Sequence, residues 1–322
     1  MADDSDATLS LLESESDTES TEVDASVALS WTAHIQTYGD TSGSTSDATS
    51  AVTIGTTGKS KRLEALTVSV SSAVSGSITY SAHVQDVGWQ DWVSEGEVAG
   101  TTGQSKRVEA VKIQLTGDLA DYYDVYYRVH VQTGGWLGWA KNGAIAGTTG
   151  ISYRVEAVQV VIVAKGASAP GSTANASFSS ISGDHTLDRY LMKIYLTQGT
   201  NLKTLYQYVS TYTYIRTYDT PSGSWSSWSI TYAKEMYANQ GGNCYRYAAL
   251  FCWLARGLGY DATVVTGYVP SRSSGWAPHG WCEITVDGTV YIVDPDLYKS
   301  YPSYNWYMVT YANAPTTYKK SS

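Results

Sequence analysis

Arg62–Leu66, Arg107–Val111 and Arg154–Val158 spell one pattern, Arg-Leu/Val-Glu-Ala-Leu/Val, and each follows a Gly-Thr-Thr-Gly at 55–58, 100–103 or 147–150. Upstream of each stands a histidine between apolar residues, at Ala33-His34-Ile35, Ala82-His83-Val84 and Val129-His130-Val131. The copies recur at 45 residues from Arg62 to Arg107 and 49 from His34 to His83. A repeat of this period is a unit that cannot bury its apolar face alone, so the copies must pack on one another. Arg107–Leu115 and Val125–Val131 mix β-branched and aromatic residues at about period two, which suits half-buried strands with Gly-Thr-Thr-Gly as the turn. Three such copies predict an all-β domain over residues 26–165, a three-fold β-trefoil or β-prism. An open meander is the weaker choice, because closure removes edge strands.

The second and third copies also carry Gly88-Trp89-Gln-Asp-Trp92 and Gly135-Trp136-Leu-Gly-Trp139, which the Ser/Thr/Asp/Gly-rich stretch Thr37–Ser50 of the first copy lacks. This signature resembles the clostridial hydrophobic repeat family with its conserved tryptophan. That resemblance implies attachment or recognition at the surface of Gram-positive bacteria. Trp89, Trp92, Trp136 and Trp139 are then candidate platforms for a cell-wall, glycan or host ligand, with packing between repeats as the plainer reading. For His34, His83 and His130 the expected role is structural hydrogen bonding, since no metal-ligand set accompanies them.

Charge narrows the partners. Of a net charge of -9, the stretch Ala2–Asp24 contributes nine acids and no base, so residues 1–25 are expected to be a disordered acidic leader. With 27 Tyr and 11 Trp against 21 Lys plus Arg, the chain does not have the makeup of a nucleic-acid binder. No apolar run has membrane-spanning length. An acidic opening without a signal segment fits a cytosolic chain, or one whose secretion signal has been removed; the second is favoured, which places the protein outside the cell or on its surface.

Small residues and proline at 165–177 mark a linker, taken as 166–184. Beyond it, His185–Tyr195, Asn201–Val209 and Ile230–Ala238 have helical spacing. In Gly241-Gly-Asn-Cys244-Tyr-Arg-Tyr, Asn243 can cap a helix with the apolar ladder Tyr247, Ala248, Phe251, Leu254 and Leu258. Cys244 then lies in the first turn, where unpaired amides and the positive helix end favour a thiolate. Cys252 lies within the apolar run and reads as core. Strands follow at Asp261–Val269, Gly280–Val286 and Val290–Val293, the last two joined by Asp287-Gly288. His279, Trp281 and Glu283 share one face while Cys282 points away. Asp294 ends the last strand, within reach of His279 if the two strands pair.

Gly242-Asn-Cys, His279-Gly-Trp-Cys-Glu, Asp294-Pro and Leu258-Gly-Tyr-Asp-Ala together resemble the transglutaminase-like superfamily. The resemblance implies an α+β, papain-like domain over 185–322, with Cys244 as nucleophile, His279 as base and Asp294 as its orienter. The Cys244 amide is the first oxyanion donor, with Gln240 a weak second candidate; Tyr245, Trp276 and Trp281 are candidates for the substrate groove. The function expected is a secreted or surface cysteine peptidase or amide hydrolase acting on envelope or host peptides and tethered by the repeats. Its alternatives are a crosslinking transglutaminase and a non-catalytic adhesion protein. No obligatory cofactor or metal is expected. Calcium at Asp294 and Asp296 is set aside, because Asp294 already serves the histidine.

Overall fold

A computed structural model describes residues 26–271 and 275–321. The acidic leader expected over 1–25 lies outside the described residues. The first repeat contains β1 (Ala28–Ile35), β2 (Gly39–Thr45), β3 (Val52–Gly55) and β4 (Leu63–Ser71), and the second β5 (Ser77–Val84), β6 (Gly88–Trp89), β7 (Ala99–Gly100) and β8 (Val108–Thr116). After a single turn of helix, α1 (Leu119–Tyr122), the third contains β9 (Tyr123–Val131), β10 (Gly135–Trp136), β11 (Ala140–Lys141), β12 (Ala146–Thr149) and β13 (Val155–Ala164).

In every copy the two long strands pair, and the short strand that carries the first glycine of Gly-Thr-Thr-Gly leaves for another copy. β7 of the second copy pairs with β4 of the first, β12 of the third with β8 of the second, and β3 of the first with β13 of the third. The exchange is cyclic, so the N-terminal region is an all-β ring of three sheets. The repeated sequence motifs are the joints of this ring. In each long pair the glutamate of Arg-x-Glu-Ala falls at a register shift, beside His34/Ile35, His83/Val84 or Val155/Ala157. Against each bulge lies the first glycine of Gly-Thr-Thr-Gly from another copy. A Cβ on Gly55, Gly100 or Gly147 would stand 2.5, 2.4 or 2.5 Å from the carbonyl oxygen of Glu156, Glu64 or Glu109, and each glycine has positive φ.

Side chains of all three copies fill the centre, among them Leu29, Ile54, Ile78, Tyr80, Val111, Tyr127 and Val158. Each such apolar side chain contributes about 1.5–3 kcal/mol when fully buried. The two buried tyrosines keep their hydroxyls satisfied by donating to the carbonyls of Glu97 and Ala144. In place of a tryptophan pair, the first copy runs the full strand β2 along β1, with Gly43 against the Trp31 ring.

The segment expected as a linker is held along the third repeat. β14 (Ser177–Ser179) adds in parallel to β12, Gly138 and Trp139 donate their amides to Asn175 and Ser172, and Gly171 lies against the Trp139 ring. The next element, α2 (His185–Gln198), places Met192 in the repeat core, and its Arg189 donates to the carbonyls of Ile151 and Ser152 at 3.0 and 2.8 Å.

The rest of the chain comprises α3 (Leu202–Ser210), β15 (Thr213–Tyr214), α4 (Trp225–Asn239), β16 (Gly241–Gly242), α5 (Cys244–Gly257), β17 (Asp261–Ser271), β18 (Gly275–Val286), β19 (Thr289–Val293), α6 (Pro295–Ser300) and β20 (Lys319–Lys320). Its main sheet is antiparallel in the order β19-β18-β17-β20. The expected Asp287-Gly288 hairpin is present, with φ of +49° and +74°. Helix α5 is buried on nearly every side, Arg246, Arg256 and Gly257 excepted, so it is the axis on which the other helices and the sheet pack. No helix among the described residues is long and apolar enough to cross a membrane, which says nothing of strands.

Candidate active site

Cys244 owes its position to its neighbours in sequence. Asn243 is extended (φ -85°, ψ 178°), and its side chain accepts from the Arg246 amide at 3.3 Å, which starts the helix one residue before the thiol. Gly241 and Gly242 pair in parallel with Thr213 and Tyr214, and a Cβ on Gly241 would lie 2.5 Å from the Thr213 carbonyl oxygen. That close approach brings the 213–220 segment alongside the nucleophile. Arg246, itself held by Glu235 of α4 at 2.6 Å, fixes it further through Asp219 at 2.9 Å, while Asn243 Nδ2 donates to Thr217 Oγ1.

The strands supply the other two groups. His279 on β18 pairs with Gly267 of β17, and Cys282 with Val293 of β19, so Asp294 emerges from the sheet beside the imidazole. Asp294 is fully buried, and its two oxygens have different duties. Oδ1 accepts from the Leu297 amide at 2.9 Å and caps α6, while Oδ2 accepts from His279 Nε2 at 2.7 Å and from the Tyr318 hydroxyl at 2.8 Å. The ring nitrogen left over, Nδ1, faces Cys244 and Asp296; heteroatoms of Cys244, His279 and Asp296 all lie within 4.8 Å of one another. Burial pulls the His279 pKa down, but Asp294 and Cys244 more than offset it and hold it well above the ordinary value. The imidazolium is thereby favoured, which is the charge partner a thiolate requires.

Asp296 was not read as a partner of the histidine. Its Oδ2 is 3.9 Å from His279 Nδ1, and burial pushes its carboxyl up to about 6 against the pull of the imidazolium. Its Oδ1 has no hydrogen-bond partner among the described residues. Tyr318 also escaped the sequence reading, because nothing near it in sequence points to Asp294, 24 residues earlier. Asp296 did leave a signal, a second acid in Asp-Pro-Asp.

A cleft of about 350 Å³ opens on Cys244, bordered by Tyr214, Arg216, Thr217, Tyr245, Ala277 and Pro278. Tyr245 thus lies where a groove residue was expected. Trp281 does not: it is fully buried, donates to the Tyr311 hydroxyl at 3.1 Å, and lies nearly parallel to the His279 ring at 6.4 Å. It is the floor beneath the histidine, because its strand face turns inward against Tyr318. Trp276 is exposed on the same strand, beyond the cleft-lining Ala277. Gln240 closes α4 in a left-handed conformation with its amide on the Tyr237 carbonyl at 2.6 Å, so the side chain is used away from the cleft. Cys244, Cys252 and Cys282 are free thiols. Burial, with Cys252 against it, raises the Cys282 thiol well above its ordinary value, the setting of an inert core cysteine.

In the repeats, Trp89 and Trp136 pack edge-on against His83 and His130 at 5.4 and 5.3 Å. Lys112 lies over Trp89 at 4.1 Å, and Arg128 lies over both Trp136 and Trp139 at 4.9 and 4.6 Å. Trp139 is 4% exposed and Trp92 43%, so the second copy alone of these two presents an open tryptophan.

Comparison with known families agrees with this division. Residues 34–72, 83–117 and 130–164 match the Clostridial hydrophobic W family, and residues 186–309 match the transglutaminase-like superfamily. The chain therefore carries three such repeats followed by a transglutaminase-like domain, at family level that of a cysteine-dependent enzyme. A comparison with curated proteins found no match. Among solved structures, a candidate cysteine protease from Cytophaga hutchinsonii aligns at 12% identity and a TM-score of 0.27, covering 84% of this chain and 78% of its own. The periplasmic domain of TgpA from Pseudomonas aeruginosa aligns at 12% identity and a TM-score of 0.25, covering 71% of this chain and 84% of its own.

Proposed function

We propose that the C-terminal domain is an acyl-transfer enzyme in which Cys244 is the nucleophile, His279 the base and then the acid, and Asp294 the group that orients the imidazole. The observation that carries this reading is the division of the His279 ring, with Nε2 bound to buried Asp294 at 2.7 Å and the opposite nitrogen turned to the thiol. That division leaves one proton path, between Sγ and Nδ1. His279 takes the thiol proton, and the thiolate attacks the amide carbonyl carbon. The resulting oxyanion accepts from the Cys244 backbone amide, one of the first-turn donors that have no intrahelical acceptor. Collapse breaks the C–N bond, and the amine leaves with the proton from Nδ1. Water or a second amine then attacks the thioester, gives its proton to His279, and expels the thiol.

Hydrolysis is the favoured outcome. The cleft is bordered by the exposed Tyr214 and Tyr218, so water reaches the thioester, whereas crosslinking requires that water be kept out. We further propose that the protein works outside the cell or on its surface on envelope or host peptides. Its repeats, prism-like in their three exchanged sheets, would tether it through the open Trp92 edge and raise the local substrate concentration.

The test is mass spectrometry of the full chain with glutamine-containing and other peptides, with and without a primary amine, beside Cys244→Ala. A Cys244 thioester followed by a water product is expected. A dominant amine adduct would make it a transferase. No thioester, together with equal and slow iodoacetamide labelling of all three thiols, would leave a binding protein on an enzyme scaffold.

A further inference from the structure

The corner formed by Cys244, His279 and Asp296 holds three different kinds of metal donor, and the proposed acyl transfer uses two of them. We propose that this corner binds a soft divalent cation, of which zinc is the natural case, and that occupancy switches the nucleophile off.

Three observations lead there. The donor atoms already lie within 4.8 Å of one another, and all three residues are buried. Tetrahedral zinc with sulfur, nitrogen and oxygen ligands at about 2.0–2.3 Å needs ligands roughly 3.3–3.8 Å apart, so side-chain adjustments of about 1 Å complete the set. Next, Asp296 Oδ1 is a buried carboxylate oxygen without a hydrogen-bond partner among the described residues, in a side chain only 9% exposed. Such a group normally finds a partner, and a cation between it and the thiolate would supply one.

Finally, the bond from His279 Nε2 to Asp294 settles the tautomer. With the proton on Nε2 and donated at 2.7 Å to Oδ2, the neutral ring presents its Nδ1 lone pair to the corner. A carboxylate behind a metal-bound histidine is the usual second layer of a zinc site. The fourth position would face the Cys244 cleft and take water. Calcium and magnesium do not suit a thiol and an imidazole. Binding displaces the one proton that Sγ and Nδ1 share, and it draws the thiolate charge onto the metal, which lowers the reactivity of Sγ toward a carbonyl or an alkylating reagent.

This inference concerns the same residues as the proposed acyl transfer, but its primary readout needs no turnover. Cobalt(II) is added to the reduced, EDTA-treated full chain, and the thiolate-to-cobalt absorption in the near ultraviolet is followed, with zinc as competitor. Expected are a saturable band that zinc removes, no band in Cys244→Ser, and at least tenfold weaker binding in Asp296→Asn, whose cooperative melting checks its fold. In a second arm that needs no variant, zinc slows alkylation of wild-type Cys244 at least tenfold and EDTA restores it. No band at a hundredfold excess of cobalt overturns the proposal, as does a folded Asp296→Asn with wild-type affinity or alkylation that zinc does not change. A cobalt band on a chain that forms no thioester would keep the metal site and remove the enzyme reading.

Discussion

His83 and His130 in the repeats lie 3.2 Å from buried Glu109 and Glu156, and His279 lies 2.7 Å from buried Asp294, yet the surroundings of these pairs differ. In the repeats the glutamate is also held by an arginine two residues back, Arg107 or Arg154 at 2.7 Å, and the imidazole packs against a tryptophan edge. Charge is balanced locally and the cluster is a joint between strands. In the C-terminal domain no arginine among the described residues joins Asp294; a tyrosine hydroxyl and a helix amide complete it, and the other ring nitrogen is left for a thiol beside a cleft. What sets the C-terminal pair apart is the thiol and the cleft that its second ring nitrogen meets.

The largest expected break in this comparison is kinetic. His279→Ala should slow iodoacetamide labelling of Cys244 by about 10²–10⁴-fold, the usual worth of a positioned base, whereas His130→Ala should leave the rate unchanged. Competition labelling read by intact mass checks both; equal slowing would mean that the repeat histidine acts through the fold.

A second contrast, within the repeats, is energetic. Trp139 is covered by the 171–175 segment and Trp92 is open. Trp139→Ala should therefore cost about 3–5 kcal/mol in urea unfolding and Trp92→Ala under about 1 kcal/mol. Equal costs would mean that the interdomain segment does not stay on the third repeat in solution.

The smallest effect expected is a pH dependence of the structural acids. Burial raises the Asp124 carboxyl, but Lys141, Asn142 and the Gly166 amide, at 2.7, 2.7 and 2.8 Å, more than offset it and hold it far below the ordinary carboxylate range. Glu109 is likewise lowered, with His83 and Arg107 outweighing burial. A depressed carboxyl contributes stability above its unfolded pKa of about 4, and that contribution is lost as pH falls through the lower folded value. Asp124→Asn should cost about 2 kcal/mol at pH 7, and the gap to wild type should narrow steadily below pH 4. A gap independent of pH would assign the cost to hydrogen bonding alone.

Much of the site was legible because its parts are local signals. A helix cap before Cys244, alternation that puts His279 and Cys282 on opposite faces, and an Asp-Gly turn between the last two strands are all written within a few residues. Gln240 was misplaced because a residue ending a helix turns its amide back to cap it, a geometry set by its left-handed backbone. Trp281 was misplaced because an inward strand face and a groove wall look alike in one sequence; Tyr311 and Tyr318, far along the chain, decide between them.

Repetition, periodicity and capping by themselves determined an all-β repeat region, an α+β domain with Cys244 at a helix start, and the candidate set Cys244, His279 and Asp294, because those signals act over a few bonds. Contacts between distant segments decided the rest: which repeat lends a strand to which, which tryptophan is covered, that Tyr318 completes Asp294, and that Asp296 comes to rest at His279 with one oxygen unpaired among the described residues. Pairing of that kind depends on what burial brings together, and no short stretch of sequence specifies it.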